Sequence, residues 1–379
     1  MNAKLVDDNH SAPVHGGDLV AVGRRYGIDP ASLLDFSANV NPAGPPPSLL
    51  RALEAGVHDV AALGRYPDTD AGSLRRALAR YLDIEPEAIV VANGAAALIS
   101  TTLAALRPRR CVIPTPAFSE YQFAVGAVGA ESCALPLDAR VDFALDPQRV
   151  CAAVRAHAAE VCVITNPHNP SGSLTAPGTL RGLVTAVRRL GAATIVDEAF
   201  IDYSPSSSIT RDAATTPQLI AIRSLTKFFG VPSLRVGYAV AQPDFVRSMR
   251  AQLPSWPVTV LAIDALTAAL ADAAYAQHTR AENARARAIL EADLRKLHLH
   301  VAPSAANYVL VRLPADSLRA SELVRRLIVD HHIVARDCST YDGMANGSYI
   351  RVAVRSPADN LRLCGALSSM LNGGRACDE

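Results

Sequence analysis

Ser224-Leu225-Thr226-Lys227-Phe228-Phe229-Gly230-Val231-Pro232-Ser233-Leu234-Arg235-Val236-Gly237-Tyr238 sets one lysine among hydroxyl residues and an aromatic pair, with an arginine eight positions on. A lysine amine held among apolar groups loses hydration of its charged form, so its pKa falls and it becomes a Schiff-base nucleophile. Ser224 and Arg235 add a hydroxyl and a forked guanidinium of the kind that grips a phosphate. The stretch therefore suits a ligand that is both an aldehyde and a phosphate ester. Read alone, it fits a surface lysine lying over its neighbours better. The chain upstream changes that balance.

Working back from the lysine, apolar strand-like runs alternate with helical patterns: Ala88 to Ala92, Arg110 to Pro114, Glu131 to Pro136, Val161 to Thr165, Ala193 to Val196, Leu219 to Ser224 and Val236 to Ala241. Helical patterns lie between many of them, such as Phe118 to Val128, Pro147 to Ala158 and Thr175 to Leu190. Strands apolar on both faces, alternating with helices, predict an α/β fold with a mainly parallel sheet covered by helices. Ligands bind such sheets at the C-terminal ends of the strands.

Three further motifs fall at such ends. Asn93-Gly94-Ala95 joins a strand to a helix through Leu106, a turn that aims free N–H groups and the positive helix end at an anion. The same turn also serves any tightly packed strand-helix unit. Thr165-Asn166-Pro167-His168-Asn169-Pro170-Ser171-Gly172 is a rigid loop able to present the Asn169 amide at a fixed position. Ile195-Val196-Asp197-Glu198 ends a strand with a carboxylate that suits a protonated pyridine nitrogen, or that caps the next element.

Composition narrows the classes of partner. The 379 residues carry 37 basic and 36 acidic side chains, and half are hydrophobic. Such a balance offers no basic field for nucleic acid. Met1 to His10 has no apolar core and does not read as a signal peptide. Val258 to Ala271 is broken by Asp264 and followed by Asp272, and so reads as a buried helix rather than a membrane span. A cytoplasmic protein is expected. Cys111, Cys133, Cys151, Cys162, Cys338, Cys364 and Cys377 contain no C-x-x-C pair, and several sit in apolar strands as small hydrophobes. They indicate neither a disulfide framework nor a metal site.

The chain divides into three parts. Residues 1–46 form an extended, proline-interrupted arm, residues 47–255 the large domain, and residues 256–379 a smaller α/β domain on which the arm packs. In the last part, helical patterns at Val258 to Ala273 and Gln277 to Leu297 precede strands at Tyr308 to Leu313, Val334 to Asp337 and Tyr349 to Val354, with helices over Ala320 to His331 and Asp359 to Leu371.

Gly94, Asn169, Asp197, Ser224, Lys227 and Arg235, in that order, resemble the motifs of fold type I pyridoxal-phosphate enzymes of the aminotransferase class. The resemblance runs from about Leu34 to the last helix and is strongest to the branch holding histidinol-phosphate aminotransferases and threonine-phosphate decarboxylases. It implies that Lys227 carries pyridoxal 5′-phosphate as a Schiff base and that Asp197 pairs with the ring nitrogen. Asn169 would bond the ring hydroxyl, and Phe118 would stack on the ring. Gly94, Ala95, Ser224 and Arg235 would hold the phosphate. Tyr66 would reach the phosphate in a neighbouring subunit, making a homodimer the working unit. Arg351, in Ser348-Tyr349-Ile350-Arg351-Val352, would bind the substrate carboxylate. Two positions depart from the pattern: Phe200 stands where many relatives carry a tyrosine, and Ala96 where many carry a polar residue.

The two ends of the chain separate the branches. His15-Gly16-Gly17, Asp35-Phe36-Ser37-Ala38-Asn39-Val40-Asn41-Pro42 and Ala335-Arg336-Asp337-Cys338-Ser339 with Tyr341 resemble the threonine-phosphate decarboxylase family. That resemblance implies decarboxylation of L-threonine O-3-phosphate in cobalamin biosynthesis, with Asn39 and Arg351 on the carboxylate. Arg336 and His15 are candidates for the substrate phosphate, and His15 fits an ordinary arm residue equally well. The alternative within the family is an aminotransferase acting on a phosphorylated substrate such as histidinol phosphate. A cofactor-binding regulator is disfavoured by the lack of a basic, DNA-binding segment.

Overall fold

The computed structural model describes residues 15–315 and 317–372; the expectations for Met1 to His10 and Cys377 lie outside the described residues. After a short strand β1 (Leu34–Asp35) come β2 (Ile89–Ala92), β3 (Arg110–Thr115), β4 (Glu131–Pro136), β5 (Val161–Thr165), β6 (Ala193–Asp197), β7 (Leu219–Ser224) and β8 (Gly237–Val240). The last seven form one sheet in the order β2-β8-β7-β6-β5-β3-β4. Only β8 is reversed: it is antiparallel to both β2 and β7, so β2 runs the same way as the remaining strands. The C-terminal ends of β2, β5, β6 and β7 therefore share one edge.

Every residue of β2, β6 and β7 is buried, which accounts for the lack of polar alternation in their sequences. One face packs on Leu74, Leu78, Leu180, Val187 and Leu266, and the other on Leu98, Ile99, Tyr121 and Val246. Helices Pro47–His58 and Val260–Leu270 lie against each other. Gly56 permits that approach, since a Cβ there would meet Leu261 Cδ2 at 2.8 Å.

The smaller sheet contains β9 (His300–Val301), β10 (Tyr308–Arg312), β12 (Arg336–Asp337) and β13 (Tyr349–Ala353), after β11 (Ile333–Val334) has paired elsewhere. Its order is β12-β13-β10-β9, antiparallel throughout. Leu290, Leu294, Val309, Leu323, Ile350, Val352 and Leu363 fill its core together with Phe36 from the arm. Beside Phe36, β1 pairs in parallel with β11, Leu34 opposite Ile333. The arm is thereby tied to the smaller sheet on its way to the large one.

The structure corrects three local expectations. The run Val334 to Asp337 is not one strand: β11 joins the arm and β12 joins β13, with the switch at Ala335. The helix expected over Val258 to Ala273 stops at Leu270, because Asp272 caps the next helix, Ala273–Lys296, by accepting from Tyr275 N at 3.0 Å. Residues Val60–Leu63 add a helical turn, capped by Asp59, where none was expected. No single described helix is long and apolar enough to cross a membrane. Val260–Leu270 and Ala273–Lys296 pass that test only as a pair bent by 76°, and Ala262, Ile263, Ala265, Leu266 and Ala269 of the first are buried.

Candidate active site

A cavity of about 320 Å³ opens at the shared C-terminal edge of the large sheet, within the usual size of a small-molecule site. Lys227 lies in its wall, just beyond β7. Burial, with smaller contributions from Arg235 and Arg351, lowers its pKa to about 8, against an opposing pull from Asp35. The arm holds this turn, since Asn41 N donates to the Lys227 carbonyl at 3.1 Å and Asn41 Nδ2 to the Phe228 carbonyl at 3.0 Å.

At one end of the cavity, β2 runs into Gly94, whose φ of +84° favours glycine. A Cβ there would sit 2.8 Å from Arg235 Nη2. No side chain caps this helix start, which leaves its first N–H groups to a ligand. Ala95, Ala96, Ser224 and Arg235 line the same end, and Ser224 Oγ lies 2.9 Å from Thr226 Oγ1.

Asp197, at the end of β6, is buried in the wall. Its Oδ2 accepts from Tyr121 OH at 2.6 Å and its Oδ1 from Ala199 N at 2.9 Å, so it also caps the following turn. Burial raises its pKa, while those two hydrogen bonds pull the other way. It forms no ion pair among the described residues. Tyr121 also lies 2.8 Å from Thr165 Oγ1, and burial followed by the charge of Asp197 pushes its phenol well above the ordinary range. Phe118 packs edge-on against Tyr121, with ring centres 5.7 Å apart.

Asn169 and Arg351 meet inside the cavity. Arg351 Nη1 donates to Asn169 Oδ1 at 2.6 Å and to Tyr341 OH at 3.2 Å, and Nη2 donates to the Ser37 carbonyl at 2.9 Å. Arg351 Nε and the nearby arm atom Asn39 Oδ1 are buried with no hydrogen-bond partner. The Asn169 loop is fastened by His168, whose Nε2 donates to the Pro116 carbonyl at 2.9 Å and whose Nδ1 lies 2.8 Å from Ser171 Oγ. Phe200 packs edge-on against Tyr308, at 5.0 Å, and offers no hydrogen bond to the site.

His15, Asn39, Gly94, Ala95, Phe118 and Asn169 line this one cavity, as do Asp197, Ser224, Lys227, Arg235, Arg336 and Arg351. His15 Nε2 meets Glu120 Oε1 at 2.7 Å, and Arg336 Nη2 donates to Thr340 Oγ1 at 2.9 Å. Tyr66 is not among the lining residues: it is 79 % exposed and stacked on Trp256 at 4.2 Å. Sequence reasoning passed over Glu120 and Tyr121, which follow Phe118 on the helix Ser119–Ala127. The available signal was helical spacing: Tyr121 falls three and four residues before the apolar Ala124 and Val125, and a buried tyrosine hydroxyl needs a partner.

Residues 31–367 match the family described as Aminotransferase class I and II. The chain belongs to this family. Aminotransferase class I and II membership covers both sheets and every lining residue named above except His15, which precedes the matched stretch. The chain is 36 % identical over 376 residues to the threonine-phosphate decarboxylase of Salmonella typhimurium, covering 95 % of this chain and 97 % of that one. The solved histidinol-phosphate aminotransferase from Clostridium acetobutylicum superposes with a TM-score of 0.83 at 27 % identity, over 90 % of this chain and 100 % of its own. The L-threonine-O-3-phosphate decarboxylase from Porphyromonas gingivalis superposes with a TM-score of 0.77 at 27 % identity and the same coverage.

Proposed function

We propose that this chain is a pyridoxal 5′-phosphate-dependent decarboxylase that converts L-threonine O-3-phosphate to (R)-1-amino-2-propanol phosphate and CO₂ in cobalamin biosynthesis. The observation that carries the reading is the convergence on one cavity of a buried lysine, a buried carboxylate and separate arginines. The likeness to the Salmonella typhimurium enzyme along almost the whole chain supports it.

The residues present fit the cofactor. Asp197 is a buried carboxylate without a cationic partner among the described residues, and a protonated ring nitrogen would complete it. Gly94 leaves room beside Arg235 that a Cβ would fill. When bound, pyridoxal 5′-phosphate supplies an electron sink for the pair left at Cα as CO₂ departs.

The chain's own groups take these roles. Lys227 would hold the cofactor through its aldehyde carbon, and its amine would supply a proton to the substrate Cα. Asp197 would hold the ring nitrogen, Asn169 the ring hydroxyl, and Phe118 would cover the ring. Gly94, Ala95, Ser224 and Arg235 would hold the cofactor phosphate, with Tyr66 reaching across a homodimer to the partner's site. Arg351 and Asn39 would bind and orient the substrate carboxylate, and Arg336 with His15 would take the substrate phosphate. Division into an arm of residues 1–46, a large domain of 47–255 and a small domain of 256–379, in a cytoplasmic enzyme, belongs to the same proposal.

A second reading, aminotransfer to or from a phosphorylated substrate such as histidinol phosphate, is favoured by the superposition on the Clostridium acetobutylicum structure. Trapping CO₂ from threonine phosphate separates the two. Release without any keto acid is expected; aminotransfer that needs a keto acid, with no CO₂, would replace the first reading by the second.

A further inference from the structure

Lys227 stands in a stretch that belongs to neither strand nor α-helix: β7 ends at Ser224, and the next helical turn is Pro232–Leu234. Backbone carbonyls buried in such a stretch have no ladder to satisfy them and need donors from elsewhere. Within the stretch, the Lys227 carbonyl receives Gly230 N at 3.4 Å, longer than an ordinary hydrogen bond. The arm supplies better donors. Asn41 N donates to the Lys227 carbonyl at 3.1 Å, and Asn41 Nδ2 to the Phe228 carbonyl at 3.0 Å.

Tyr275, near the start of the helix Ala273–Lys296, backs this contact. Its hydroxyl accepts from Asn41 Nδ2 at 2.8 Å and donates to the Gly44 carbonyl at 2.6 Å, while its ring stacks on Phe229. Asn41 Oδ1 accepts from Ala43 N at 3.1 Å, so the amide is fixed at both of its ends. The two backbones lie so close that a Cβ on Gly230 would meet the Gly44 carbonyl carbon at 2.8 Å. Asn41 is buried, and neither it nor Tyr275 lines the cavity. Four residues before Asn41, the Ser37 carbonyl accepts from Arg351 Nη2 at 2.9 Å, so this part of the arm is pinned to residues of both sheets.

A lysine amine rides on a flexible four-carbon stem, and it meets a fixed carbon atom reliably only if its own backbone is fixed. We propose that Asn41 and Tyr275 are positioning residues for Lys227: acting from outside the cavity, they hold its turn where the amine can capture an aldehyde carbon, and so set how strongly the site prefers an aldehyde over the same ring without one. The proposal rests on the reading of Lys227 as the cofactor-bearing amine. In the capture, Lys227 Nζ bonds to the aldehyde carbon and the carbonyl oxygen leaves as water with the two amine protons, so no oxidant or reductant is needed.

Two ligands separate capture from the rest of binding: pyridoxal 5′-phosphate, and 4′-deoxypyridoxine 5′-phosphate, in which a methyl group replaces the aldehyde. Titration of the wild-type apoprotein is expected to favour the aldehyde by about a hundredfold or more. Tyr275→Phe keeps the stacking on Phe229 and removes only the hydroxyl, and should cut that ratio about fivefold; Asn41→Ala should cut it about tenfold or more. In both variants the methyl analogue should bind as it does to wild type. A purely structural role would weaken both ligands alike and leave the ratio unchanged, which would overturn the proposal. Tyr275→Phe decides the matter if Asn41→Ala does not fold. Lys227→Ala tests the underlying reading separately, since it should bring the ratio near one. A ratio that persists in Lys227→Ala would sink that reading and this proposal together, whereas a ratio lost there but intact in Tyr275→Phe and Asn41→Ala would sink the proposal alone.

Discussion

Tyr121 donates a 2.6 Å hydrogen bond to Oδ2 of Asp197, and both side chains are buried. That bond ties the helix after β3 to the end of β6 and fixes one carboxylate oxygen, while Ala199 N fixes the other. A hydrogen bond to a charged acceptor contributes about 1.5–3 kcal/mol, and losing it disfavours the ionised form of Asp197.

Tyr121→Phe should therefore lower kcat by roughly tenfold or more and shift the acidic limb of the pH profile upward. The sign follows from the bond itself, which lowers the Asp197 pKa against the larger effect of burial. An acidic limb that stays in place would show that Tyr121 does not hold the carboxylate's charge.

Lys227 gives a stability signature independent of turnover. Its folded pKa of about 8 lies below the free value of 10.5, so between those values the unfolded chain binds more protons and stability rises with pH. Below about 8 the cost of the buried charge stands in full, on the order of 3 kcal/mol. Apoprotein carrying Lys227→Met should accordingly melt higher than wild type at pH 7, with the gap closing towards pH 10.5. The same variant should show no absorbance from covalently held cofactor and no CO₂ release.

Much of this site was legible in the sequence because β-α alternation puts strand ends on one edge. Lys227, Asp197, Gly94 and Asn169 could thus be brought together without coordinates. Tyr121 was hidden because a helical tyrosine looks the same whether its hydroxyl meets water or Asp197. The split of Val334 to Asp337 between two sheets was hidden for a related reason: strand pattern records which residues are apolar, and the partner across the ladder leaves no local mark. The early helix stop at Leu270 was within reach, since Asp272 is a strong N-cap residue followed by a helix-forming run. For Tyr66, the sequence gives a position on the chain but not the surface it meets.

His168 should behave as a neutral clamp. Burial lowers its pKa to about 4, against an opposing hydrogen bond to the Pro116 carbonyl, so it stays uncharged at neutral pH. Because the unfolded ring titrates near 6.5, stability is lost as pH falls from there towards 4, by up to about 3 kcal/mol. His168→Ala should remove that portion of the acid sensitivity and cost about 2–3 kcal/mol at pH 7, since it strands a buried carbonyl and leaves a void. Denaturant melts of both proteins from pH 4 to 7 check this, and equal acid slopes would refute it.

The surface around Tyr66 predicts the assembly. Val57, Val60, Leu63 and Tyr66 recur every third residue and are 54 %, 79 %, 48 % and 79 % exposed, and Tyr66 extends the apolar run by stacking on the half-exposed Trp256. Contiguous exposed apolar surface of this kind marks an interface. Sedimentation of the full chain is expected to give a dimer. Val60→Asp, which would place a charge inside the expected dimer interface, should weaken association by about tenfold or more. Tyr66→Phe keeps the stacking and removes only the hydroxyl proposed to reach the partner's cofactor phosphate, so it should leave the dimer intact while loosening cofactor retention on dialysis by roughly fivefold to tenfold. A monomer that retains cofactor and full activity would refute both expectations, because Tyr66 does not line the cavity of its own chain.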